Sequence, residues 1–150
     1  TPFTNFAGLT GIFSCEDETT FLFKFLNTQA LILNLDPADY AFLFSDEAGP
    51  KRRLFSSETT LTHAFFNTSA ASLSTNYFCA NTPPGTPEVL ESFNAVNGVD
   101  DVSGIIEVTT LSSVNGFMHT IVFKNVRLAK GTLNRELGNA FIFGEFETTN

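Results

Sequence analysis

The sequence predicts an all-β protein: an antiparallel β-sandwich, immunoglobulin-like or jelly-roll-like, of about eight or nine strands. Three observations carry this reading. Residues 103–128 hold two β-branched runs around Asn115-Gly116, with Ile105, Ile106, Val108, Thr109 and Thr110 before it and Thr120, Ile121, Val122 and Phe123 after it. That is a hairpin signal, because Asn-Gly takes positive φ at low cost. Short apolar runs recur along the chain, punctuated by turn residues at intervals of roughly 8–12. The chain has 150 residues, 43% apolar and 16% charged, which is enough for one buried core and too apolar for disorder. A lone hairpin buries too little surface to stand, so its apolar positions call for a second layer of sheet.

The elements follow in order. Residues 1–14 place Phe3, Phe6, Leu9 and Ile12 at intervals of three, followed by Phe13, a spacing that fits neither a half-buried strand nor an α-helix. They read as an extended strap ahead of a single domain, residues 15–150. Next comes TTFLFKFL, with Phe21, Phe23 and Phe25 on one face and Leu22, Lys24 and Leu26 on the other. Residues 30–35 align Leu31, Leu33 and Leu35 as a second strand. Asp36-Pro37 starts a turn or a short capped helix carrying Tyr40, Phe42 and Leu43. Residues 52–56, 60–67 and 87–96 read as further strands, the last preceded by a proline-rich segment that cannot donate to a central ladder. In the second arm of the hairpin Ile121 and Phe123 are odd while Val126 and Leu128 are even, which a bulge near Lys124-Asn125 would reconcile. Residues 139–147 close the sheet.

Composition narrows function more than it identifies it. The net charge is −8, and no basic stretch is present to displace counterions from nucleic acid. No apolar run approaches the ~20 residues of a transmembrane helix. The chain begins at Thr1, as a mature secreted protein does after its signal segment is removed. Cys15 and Cys79 are its two cysteines, and an exported chain would join them in one disulfide. The aromatic residues are 18 Phe and 2 Tyr with no Trp, so nearly every ring lacks a polar handle and belongs in a core or a dry interface.

Candidate chemistry is sparse. His63 and His119 are the only histidines. Both fall inside predicted strands with no nucleophile motif beside them, and they read as ordinary sheet residues rather than catalytic ones. Sugar platforms are usually Trp or Tyr, and here Tyr40 and Tyr77 alone are available. The acidic groups Glu16-Asp17-Glu18, Asp36/Asp39, Asp46-Glu47 and Asp100-Asp101 lack a calcium-loop spacing. No metal or cofactor is expected. Lys24 on the first strand, with Asn139 and Glu145 on the last, has the residue types of an intramolecular isopeptide bond, which a mass short by one ammonia would reveal. Asn67-Thr68-Ser69 is a glycosylation sequon.

The segments TTFLFKFLNTQALILNLDP, STNYFCANTPPGTPEVLESFNAVNG, SGIIEVTT and HTIVFKNVRLAKG are similar to a group of uncharacterised secreted or lipid-anchored envelope proteins of Gram-negative bacteria. The resemblance implies export and a sandwich, and no activity; unlike a lipoprotein, this chain lacks a cysteine at its start. Taken with the Phe excess, the sequence points to a non-catalytic cell-surface protein, structural or adhesive. It would act on a second copy of itself, as a filament subunit, or on another surface protein, through Phe3, Phe6, Leu9, Ile12 and Phe13. The alternative is a monomeric binding module for a glycan or other ligand.

Overall fold

The structure, a computed structural model, describes residues 12–15, 18–26, 29–66, 78–79 and 89–149. Among them eleven strands and one short helix form a two-layer antiparallel sandwich. The larger sheet has seven strands in the order β1 (Phe13–Cys15), β2 (Glu18–Leu26), β3 (Gln29–Asn34), β5 (Thr60–Phe66), β6 (Val89–Ala95), β9 (Arg127–Lys130) and β10 (Leu133–Glu136). The smaller has four, in the order β11 (Phe141–Thr149), β8 (Gly116–Lys124), β7 (Ile105–Ser113) and β4 (Lys51–Leu54). Leu22, Leu31, Leu33, Leu61, Phe65 and Phe93 of the larger sheet meet Ile106, Val108, Ile121, Phe123 and Phe143 of the smaller in one core. Each fully buried side chain of this size stabilises by roughly 1.5–3 kcal/mol.

Two local expectations are corrected. The β7–β8 hairpin forms, but Ser113 pairs with Gly116, so the loop residues are Val114 and Asn115, and neither Asn115 nor Gly116 takes positive φ. Gly116 is held in the sheet from both sides, because it also pairs with Thr149 of β11. The parity change after Phe123 is not a bulge. The chain leaves the smaller sheet after Lys124, turns at Asn125 with φ 53, and enters the larger one as β9. Asn125 is among the residues that accept a left-handed turn at modest cost. The β9–β10 hairpin this creates, with the three-residue β1, takes the strand number above the expected eight or nine.

Helix α1 (Pro37–Leu43) lies between β3 and β4 in sequence. Asp36 caps it by accepting from the Ala38 amide, and Pro37 opens its first turn, as Asp and Pro at these places favour. Asp39 accepts from the Thr59 hydroxyl and pairs with Arg53, whose guanidinium lies 3.7 Å from the Phe42 ring centroid. Those contacts bind the helix to β4. The Arg53 guanidinium also donates to the Arg52 carbonyl, occupying an acceptor on an edge strand just four residues long, a common protection against unwanted pairing.

Candidate functional site: an aromatic groove

The alternation in β2 divides its side chains between two environments. Leu22 and Lys24 face the smaller sheet, and Phe21, Phe23 and Phe25 face away from it. The inward Lys24 is 1% exposed. Its Nζ donates to the Phe143 carbonyl at 2.5 Å and lies 5.7 Å from the Phe143 ring. That carbonyl is available because the β8–β11 register slips between Ile142 and Gly144, and a bulge withdraws a residue from the ladder. Burial lowers the Lys24 pKa below the usual lysine value. Lys24→Met keeps most of the volume and leaves the carbonyl without this donor, so it is expected to cost about 1–3 kcal/mol, read as a lower urea midpoint at unchanged m-value. Of the other residues of the isopeptide set, Asn139 lies in the turn before β11 and Glu145 in β11, and both are exposed.

The outward face of β2 begins a second apolar surface. Phe13 of β1 stacks on Phe23 and Phe25 at 5.8 and 5.5 Å between centroids, and Phe78 lies 4.5 Å from Phe23. Register carries this face across the sheet. Phe23 is level with Ile32 and Thr62, and Phe25 with Ala30 and Ala64, which in turn faces Ser92. Short side chains in the middle of the sheet leave a trough between larger ones. The result is a groove of about 370 Å³ lined by Phe21, Ile32, Thr62, Ala64, Phe66, Phe78, Val89 and Ser92. The outer face of the smaller sheet carries the paired Thr109 and Thr120 and the Arg52–Glu107–Lys124 ion network, with Leu111 and Ile142 exposed among them. An antiparallel sheet that is apolar on both faces is the exception.

Cys15, the last residue of β1, is joined to Cys79 by a disulfide across 64 residues. The bond places the residue next to Phe78 beside β1, at the edge of the aromatic face. Of the strap residues, Ile12 packs against the main core and Phe13 is 43% exposed. Phe3, Phe6 and Leu9 lie outside the described residues, as do Tyr77 and the sequon at Asn67.

The histidines are structural members of the two sheets. His63 and His119 are both 0% exposed. His63 Nε2 shares a hydrogen bond with Gln29 Oε1 at 2.9 Å. His119 bridges Thr110 of β7 and Thr148 of β11, each at 2.8 Å, under the edge of Phe44. Neither ring lines the groove. Tyr40 is half-buried in α1 and stacks on Phe44. Two smaller cavities of about 320 and 220 Å³ lie at Arg52, Arg53, Asp100 and Asp101, and at Asn97, Ser103, Asn125 and Glu136. Among the described residues no three His, Cys, Asp or Glu side chains gather as a metal site would need. No helix among them is long and apolar enough to cross a membrane.

The groove residues were missed in the sequence for an identifiable reason. The Phe stripe of β2 was visible, but alternation alone does not say which stripe faces the core when both are apolar. The available signal was the aliphatic set Leu22, Leu31, Leu33 and Leu61 on one parity, against mixed Phe, Ala, Ile, Thr and Ser on the other.

No family model, curated protein or solved structure matches this chain.

Proposed function

We propose that the protein is a non-catalytic extracellular subunit, structural or adhesive, that works through protein–protein contacts. The contact surface is the aromatic outer face of the larger sheet together with residues 1–14. The observation that carries this reading is the second apolar face itself, in which Phe23, Ala30, Ala64 and Phe66 are buried while Phe13 at 43%, Val89 at 47% and Leu90 at 63% exposure lie on or beside it. Exposed apolar side chains grouped beside such a face are what an interaction site on a folded protein presents. The disulfide favours an oxidising compartment, outside the cytosol.

The test is electron microscopy with light scattering on the intact protein and on a form lacking residues 1–11, which retains β1 and the disulfide. Filaments or defined oligomers are expected from the intact chain and monomers from the shortened one. An intact chain that stays monomeric through high micromolar concentration removes the reading. The groove supports a second one, a monomeric module that binds an apolar ligand: its aromatic walls enclose a volume at the small end of ordinary ligand pockets. Thr62 already shares a hydrogen bond with Asn94, so the lining matches a hydrocarbon or aromatic group better than a glycan.

A further inference from the structure

We infer that Asn115 is a site of spontaneous covalent modification, where the Gly116 nitrogen displaces the side-chain amide and the residue becomes aspartate or isoaspartate. This chemistry is independent of the proposed assembly role.

The chain carries its own internal comparison. Val-Asn-Gly occurs twice, at residues 96–98 and 114–116, and Asn97 and Asn115 are both exposed. Asparagine is thermally labile, and a following glycine, with no Cβ, lets the reacting groups approach. The glycine nitrogen bonds to the asparagine Cγ, the Cγ–Nδ2 bond breaks, and the amide proton leaves with Nδ2 as ammonia. One water then opens the succinimide ring. Addition at Cγ gives aspartate, and addition at the main-chain carbonyl gives isoaspartate, whose backbone runs through Cβ. Because the two tripeptides are the same, the fold decides which of them reacts.

At Asn97 the attacking nitrogen is locked in place. The Gly98 amide donates to the Phe55 carbonyl at 2.8 Å, the Phe55 amide to the Gly104 carbonyl at 2.8 Å, and the Gly104 amide to the Asn125 carbonyl at 3.0 Å. A Cβ on Gly98 would lie 2.4 Å from the Gly104 carbonyl oxygen and 3.0 Å from the Leu54 side chain, so the backbone there has no room to rotate. Phe55 is 1% exposed and belongs to the main core. Freeing the Gly98 nitrogen therefore disturbs the core.

Asn115 sits where opening is cheap. Gly116 is buried and paired with Ser113 and Thr149, but both pairs are the last of their ladders. They lie beside Val114, which is 98% exposed. Releasing them leaves every other pair of β7, β8 and β11 in place. Terminal openings of this kind lie at the low end of local unfolding free energies, and a reaction that proceeds through an open state follows the population of that state. Isoaspartate would add a backbone atom to the two-residue loop Val114-Asn115, so the Ser113–Gly116 pair would lose its register while the core stayed intact.

The test incubates the full-length protein in mildly alkaline buffer below its melting transition, with a parallel sample unfolded in urea, and follows both asparagines by mass spectrometry of proteolytic peptides. In the native protein Asn115 should convert at least tenfold faster than Asn97, the ratio that about 1.4 kcal/mol of opening free energy sets. In urea the two rates should converge. Asn115→Gln, which must close a larger ring, should leave the native protein unconverted over the same period. Three results overturn the inference. An Asn115 that keeps its amide in the native protein shows that the tip stays shut, whatever happens in urea. Equal native rates at the two asparagines show that the contacts of Gly98 give no protection. A tenfold excess at Asn115 that is already present in urea shows that the chain, not the fold, selects the site.

Discussion

Acidification from pH 7 to pH 4 is expected to remove roughly 6 kcal/mol of folding stability, about 3 from each of two imidazoles buried in their neutral form. Burial, assisted by the Arg135 charge, pushes His63 down to about 4, and burial with the Lys51 charge does the same to His119. An unfolded imidazole takes up its proton near pH 6.5, whereas the folded ones stay neutral until about pH 4. Between these values the unfolded chain binds more protons, so stability falls as pH falls. The contribution is fully present above pH 6.5 and lost by about pH 4. The hydrogen bonds do not oppose the change, because the Gln29 and Thr oxygens beside the rings can also accept from an imidazolium. The cost lies in moving a charge into the sandwich beside cations already there.

Domains of this size are stable by roughly 5–15 kcal/mol, so the loss brings the protein close to acid unfolding. A further loss follows below pH 4.5 from Glu107. Burial raises that carboxyl's pKa, but hydrogen bonds and charge from Arg52 and Lys124 outweigh it and hold the pKa below its ordinary value. Its share is therefore present above pH 4.5 and disappears as pH falls through the depressed value. Urea unfolding at half-unit intervals from pH 7 to 4 measures the slope. His63→Gln and His119→Gln should each remove about half of it between pH 6.5 and 4. A double variant that keeps the full slope would show that other groups are responsible.

The same histidines show what the sequence does and does not disclose. Their placement in strands follows from the flanking TLTHAFF and GFMHTIVF, but their depth depends on long-range register. Thr110 reaches His119 through the β7–β8 pairing and Thr148 through β8–β11, links nine and 29 residues away along the chain. The all-β class, the helix capped by Asp36-Pro37 and the β7–β8 hairpin were legible because they depend on neighbours in sequence. The turn position, the sheet change at Asn125 and the bulge at Phe143 were not, since each is decided by what a second strand or the opposite sheet demands. Lys24 joins the two cases: its side of β2 was plain from alternation, while its partner, a carbonyl freed by a bulge in the last strand, was not. The groove was hidden most completely. Its floor consists of Ile, Ala, Thr and Ser from β3, β5 and β6, residue types that carry no signal until register sets them side by side.

Removing the disulfide is expected to cost about 4 kcal/mol and to act first on the aromatic face. The bond closes a loop of 64 residues, and in the chain-entropy model that loop restricts the unfolded state by this amount. At roughly 2–4 °C per kcal/mol for a chain of this length, Cys15→Ser/Cys79→Ser should melt on the order of 10–15 °C lower at pH 7. Position in the fold predicts more than the total. Cys15 ends β1, a strand of three residues at the edge of the larger sheet, and Cys79 adjoins Phe78, whose ring stacks on Phe23 and Phe25. Short edge strands are held by few hydrogen bonds and open before the rest of a sheet. Without the bond, amide exchange should accelerate first in β1 and along the outer edge of β2, with β5, β7 and β8 protected until global unfolding. A uniform loss of protection would mean that the disulfide acts through the unfolded state alone. A loss confined to β1 and β2 would mean that it also holds the aromatic face in the shape the proposed contacts require, and the double-Ser variant should then assemble more weakly even at temperatures where its core is intact.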